Sequence, residues 1–249
     1  MTDAQQDDSG WTREDVAGVP IRFVAPGPDA IGMVVILPDF DWPHDSALAG
    51  LRHQLVASKL CAVLPDVRSW WIDRPDPVIR SSPSPLAFVA QQLAPWIATK
   101  WGGENRLATL GVGFGGQGAL QLAYRFPLVF PIAAAVSPAI DFHRLHDSSP
   151  QLQEWFETQE HARQDTATLR LHPLNWPPHQ WFACARGDWR FDGCERLASK
   201  LTSIGIPYTA DLDTAEGPAY QSLQLARALD FVARQLSEPP VTREIRLGR

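Results

Sequence analysis

Short apolar runs alternate along the chain with longer amphipathic stretches. IGMVVILPDF (31–40), CAVLPDV (61–67), RLATLGVG (106–113), PIAAAVSPAI (131–140) and QWFACARGD (180–188) are apolar at consecutive positions, as strands buried on both faces are; PYTADLDT (207–214) reads as a last, weaker strand. Between them, segments 45–60, 84–101, 115–126, 192–204 and 219–236 read as helices. In the last of these, Leu223, Leu225, Ala228, Leu229, Val232 and Leu236 return at helical spacing. The rhythm predicts an α/β fold, with a mostly parallel central sheet flanked by helices on both faces. Residues 14–237 form a single domain in this reading, with 1–13 loose and 238–249 a polar tail. Segment 141–179 breaks the rhythm and reads as an irregular covering insertion with a short helix around Gln151–Thr158.

Composition narrows the function classes. The 249 residues are 45% hydrophobic and carry a net charge of -6 with no basic run, which turns the reading away from nucleic acid. No apolar run reaches the roughly 20 residues of a membrane span. The acidic, polar start MTDAQQDDSG lacks the basic-then-apolar pattern of a secretion signal. Cys61, Cys184 and Cys194 are widely spaced and odd in number, forming neither a disulfide framework nor a zinc pattern. A cytoplasmic protein is the expectation, and the composition leaves its oligomeric state open.

The stretch GVGFGGQGAL (111–120) carries the chemistry question. Gly111, Gly113 and Gly116 fit the G-x-G-x-x-G spacing that cradles a dinucleotide, with Asp141 downstream as the candidate ribose-binding acid. That fingerprint normally sits on the first strand of its unit, whereas at least two strand–helix units precede it here. The same letters fit a hydrolase turn, G-x-S-x-G, in which Gly113 stands where the nucleophilic serine would be.

More of the chain supports the second reading. SPLAFVAQQLAPWIATKWGGENRLATLGVGFGGQGALQLAYRFPLVFPIAAAVSPAID resembles the esterase D and feruloyl-esterase branch of the α/β-hydrolase fold, whose corresponding turn reads G-x-S-M-G-G-x-G-A-L. CARGDWRFDGCERLASKLTSIGIPYT resembles the segment that supplies the family's aspartate, and AEGPAYQSLQLARALDFVARQL the closing segment that supplies its histidine. The resemblance spans roughly residues 31–236 and implies a triad at Gly113, Asp188 and Pro218, of which only Asp188 retains a functional side chain. Where the family usually carries His-Gly for its oxyanion hole, this chain reads Pro38-Asp39, leaving the Phe114 N–H as the one donor implied to survive. A carboxylate at Asp39 would repel a developing oxyanion. The resemblance therefore implies a degenerate site, no cofactor, and a crevice retained for a small molecule or a protein. The alternative is an active carboxylic-ester hydrolase with an unorthodox nucleophile.

Other residues are candidates for chemistry or binding. Trp42, Arg68, Trp70, Trp71 and Trp189 are the candidate ligand contacts, with Trp70 and Trp71 in DVRSWWIDRPDP equally readable as packing under the insertion. Asp141, His143 and His146 have a weak metal-like spacing, and no metal is expected. Ser137 reads as a structural strand-end serine, Cys184 as an inert core thiol, and Cys194 has no base nearby in sequence. Asp188 reads mainly as a loop-structuring carboxylate paired with Arg186 or Arg190.

Overall fold

The computed structural model describes residues 5–102 and 107–239. In chain order the elements are β1 (Gln5–Gln6), β2 (Thr12–Val16), β3 (Val19–Val24), β4 (Gly32–Leu37), α1 (Asp45–Ala57) and β5 (Leu60–Pro65). Next come α2 (Pro85–Phe88), a π turn (Val89–Leu93), α3 (Ala94–Trp101), β6 (Leu107–Val112), α4 (Gly113–Arg125) and β7 (Ile132–Val136). A 3-10 turn (Phe142–Ser148) then leads to α5 (Pro150–Trp155), α6 (Gln159–Gln164), α7 (Ala167–Arg170), β8 (His179–Ala183), α8 (Phe191–Ser203), β9 (Thr209–Asp211) and α9 (Tyr220–Ser237). The nine strands form one sheet in the order β1-β2-β3-β5-β4-β6-β7-β8-β9. From β5 to β9 every pairing is parallel, and β1, β2 and β3 extend that body antiparallel.

The alternation of side chains along each strand explains the two helix layers. In β4, Met33, Val35 and Leu37 join one cluster with Ile97, Leu120, Leu122, Leu197 and Leu201. Val34 and Ile36 point the other way, against Leu48, Leu51 and Leu55 of α1 and Leu225, Ala228 and Leu229 of α9. Burial on both faces is why these strands read as unbroken apolar runs.

All six expected strands and all five expected helices are present, with Arg106, the first residue of one expected strand, outside the described residues. The start of the chain is the correction. Residues expected to be loose instead supply β1 and the beginning of β2, and Trp11 is fully buried with its indole N–H donating to the Leu48 carbonyl at 3.0 Å. Buried Arg22 on β3 fastens this edge, reaching Asp7 at 2.9 Å, Asp66 at 2.8 Å and Asp45 at 3.3 Å. The tail from residue 240 lies outside the described residues. Segment 141–179 is largely short helices, and Phe142, Leu152, Phe156 and Ala162 pack over Trp70 and Ile72. No described helix is long and apolar enough to cross a membrane.

Candidate functional site

The carboxyl ends of β4, β6, β7 and β8 converge on a crevice of about 350 Å³. Ligands of open α/β sheets bind at such an edge. Its wall brings together Asp39 and Trp42 after β4, Val112 at the end of β6, Ser137 after β7, Asp188 and Arg190 after β8, and Glu216, Pro218 and Tyr220 after β9.

Next to the lining residue Val112, β6 turns directly into α4 at Gly113, whose φ of +56° lies in the left-handed region. Glycine holds that conformation without the steric cost a side chain would meet. Asp39 is folded against this turn. A Cβ built on Gly113 would sit 1.7 Å from Asp39 Oδ2, so the carboxylate occupies the space a side chain at 113 would need. Its Oδ1 accepts the N–H of Phe40 at 2.9 Å and that of Phe114 at 3.3 Å. Burial pushes the Asp39 carboxyl above the usual carboxylate range, opposed by these two N–H bonds and by Arg190.

Arg190 links the two acids of the site. Its Nε donates to Asp188 Oδ1 at 2.9 Å, its own backbone N–H donates to the same oxygen at 3.0 Å, and its Nη1 lies 3.7 Å from Asp39 Oδ2. Asp188 is thus held by a guanidinium, and Arg186 turns away to Asp213. Pro218, with no titratable group and no N–H, lines the same crevice.

The loop carrying Pro218 is held from below by Asp211. Burial pushes that carboxyl up, but bonds from Thr214 and Gln224 outweigh it and bring it down to about 2, from an ordinary 3.8. Arg227 also pairs with it. Because the folded-state value is the lower one, ionised Asp211 stabilises the fold above about pH 4, and this contribution fades as pH falls towards about 2. Asp211→Asn is expected to lower stability at pH 7 and to flatten the acid limb of a stability-against-pH curve between those values. An unchanged acid limb would show that Asp211 does not anchor this loop.

Other expected contacts are distributed differently. Trp42 lines the crevice. Arg68 braces the 40–43 loop instead, donating to the carbonyls of Phe40 at 3.2 Å and Pro43 at 2.7 Å. Trp71 is fully buried and donates its indole N–H to the Pro38 carbonyl at 2.8 Å, which removes it from ligand contact. Trp70 is buried under the insertion, bonded to Gln151 and packed edge-to-face with Phe40 and Phe114. Trp189 is 43% exposed with the Arg190 guanidinium over its ring, outside the crevice lining.

The dinucleotide geometry does not assemble. Asp141 is buried and paired with Arg196, and the Phe114 N–H is already taken by a carboxylate, which would repel a phosphate. Gly111 and Gly115 serve close packing: added Cβ atoms would meet the Gly115 carbonyl oxygen at 2.1 Å and the Leu37 carbonyl oxygen at 2.0 Å. Two of the metal-like trio are otherwise engaged, Asp141 with Arg196 and His146 with Asp147 at 2.9 Å and the Phe156 carbonyl at 2.8 Å. Among the described residues no cluster fit for a metal ion occurs. Cys184 and Cys194 are fully buried, and burial pushes the Cys194 thiol well up, away from thiolate chemistry. Ser137 lines the crevice with its backbone at φ +43°, and no histidine or cysteine shares that lining.

Sequence reasoning placed Asp39, Asp188 and Pro218 at one edge and offered Arg190, with Arg186, as a partner of Asp188, but missed its reach to Asp39 and missed Glu216 and Tyr220 on the wall. The signal for Arg190 was local, an acid and a base two residues apart. That for Glu216 was its place two residues before Pro218.

Residues 80–200 match the family model described as "Putative esterase". No curated protein matches the sequence. Among solved structures, fluorophosphonate-binding serine hydrolase F of Staphylococcus aureus superposes with a TM-score of 0.68 at 13% identity, covering 92% of this chain and 96% of that one. The S-formylglutathione hydrolase of Agrobacterium tumefaciens gives 0.67 at 14%, covering 90% and 98%. A ferulic acid esterase gives 0.63 at 16%, covering 94% and 96%. The fold is that of the α/β-hydrolases, and residues 80–200 are similar to the model of that esterase family.

Proposed function

We propose that this esterase-like α/β-hydrolase is non-hydrolytic and keeps the crevice at its sheet edge to bind a small molecule or a protein partner. One observation carries the reading: the Asp39 carboxylate fills the space beside Gly113 and takes the Phe114 N–H. Acyl transfer needs a nucleophile, a base, a group to orient the base and donors for the oxyanion. Gly113 brings no nucleophile, Pro218 no base, and the acid Asp188 is held by Arg190. The remaining donor faces a negative charge, which opposes the charge that develops in acyl transfer.

A second reading has its own observation. Ser137 stands on the crevice wall in a left-handed backbone conformation, a strain of the kind found at reactive sites. A fluorophosphonate probe, which phosphonylates activated serines, separates the two. The expected result is an unmodified intact mass after prolonged exposure. An adduct mapped to Ser137 would replace the first reading with an unorthodox hydrolase.

A further inference from the structure

We infer that the crevice takes a small organic cation, an alkylammonium or guanidinium group, seated between Asp41 and Glu216 with its apolar body against Trp42. This rests on the binding reading above and names the ligand's chemical class. Four carboxylates line the crevice, Asp39, Asp41, Asp188 and Glu216, against the single guanidinium of Arg190. Arg190 is committed to Asp188 and Asp39. Asp41 and Glu216, both exposed, form no ion pair or hydrogen bond among the described residues, so neither carboxylate is locked to a partner.

Two further features fit a cation. Trp42, packed mainly into the core and 7% exposed, adds an apolar edge to the same wall, against which an alkyl body can rest. Tyr220, also on the wall, is only 8% exposed, and its hydroxyl, which accepts as well as donates, has no partner among the described residues. Anionic and neutral carbonyl ligands fit less well. The Phe114 N–H that would receive their oxygen is bonded to Asp39, and a wall with excess negative charge concentrates cations and repels anions.

The test titrates the full chain, labelled with 15N, with n-butylammonium, n-butanol and butyrate at low ionic strength, reading amide and indole shifts around Trp42 and Tyr220. Butylammonium is expected to saturate these shifts with a Kd at least tenfold below that of butanol, and added salt to weaken it. Asp41 and Glu216 are exposed, so Asp41→Asn/Glu216→Gln leaves the fold intact and is expected to raise the Kd about tenfold. An unchanged Kd in that variant overturns the inference. So does butanol or butyrate saturating the same shifts as tightly, a result that leaves the broader binding reading standing. If none of the three probes moves the crevice signals, the cation inference falls and the small-molecule form of that reading falls with it.

Discussion

Gly113→Ser is expected to destabilise the protein by about 2–5 kcal/mol, lowering Tm by roughly 5–15 °C. Two terms add. At φ +56° a side chain enters the left-handed region, which costs about 1–2 kcal/mol for an L-residue. The new Cβ would also fall 1.7 Å from Asp39 Oδ2. The carboxylate must swing out and give up the N–H bonds of Phe40 and Phe114, and bonds to charged groups are worth about 1.5–3 kcal/mol. The second term belongs to the pair, so Asp39→Ala combined with Gly113→Ser is expected to recover it, leaving mainly the backbone strain. A double-mutant cycle by urea unfolding would read a coupling above about 1 kcal/mol. A serine variant as stable as the parent would show that Asp39 does not fill this space.

Gly115→Ala is expected to be more damaging, at about 4 kcal/mol or above, with loss of soluble folded protein as the practical readout. Here the obstruction is backbone. The added Cβ would lie 2.0 Å from the Leu37 carbonyl oxygen and 2.6 Å from its carbon, at the end of β4. No rotamer change relieves it, and the first turn of α4 would have to lift from the sheet. Gly50→Ala is the control: it lies exposed in α1 with nothing within 4 Å of the new methyl group, so it is expected to be neutral or to stabilise by up to about 1 kcal/mol. Equal effects at 50 and 115 would refute the packing account of the glycine run.

These glycines show what a chain pattern conveys. The apolar run before Gly111 made β6 legible as a strand buried on two faces. The stretch after it was legible as a helix, although α4 proves to be buried on nearly every side, with only Phe114 and Arg125 less than fully covered. The reason for the glycines was not legible, because the obstructing Leu37 carbonyl and Asp39 carboxylate come from β4 and the loop after it, far away in sequence. The β2–β3 hairpin was missed for a related reason. TREDV is mostly charged, and its turn places Ala17 as well as Gly18 at positive φ, where Asn-Gly would have been the readable signal. Trp70 and Trp71 looked like ligand contacts because their cover, Phe142 and Phe156 for Trp70 and α4 for Trp71, is supplied by other parts of the chain. Asp188 reads in sequence as a loop-structuring acid paired with Arg186 or Arg190; the partner is Arg190, two residues on, while Arg186 bonds Asp213.

The esterase-like crevice is expected not to hydrolyse esters, and turnover of p-nitrophenyl acetate by the purified full chain is the decisive measurement. The expected rate is indistinguishable from buffer, with Asp188→Ala giving the same value. Saturable turnover that collapses in Asp188→Ala would contradict it and would place an active nucleophile at the site.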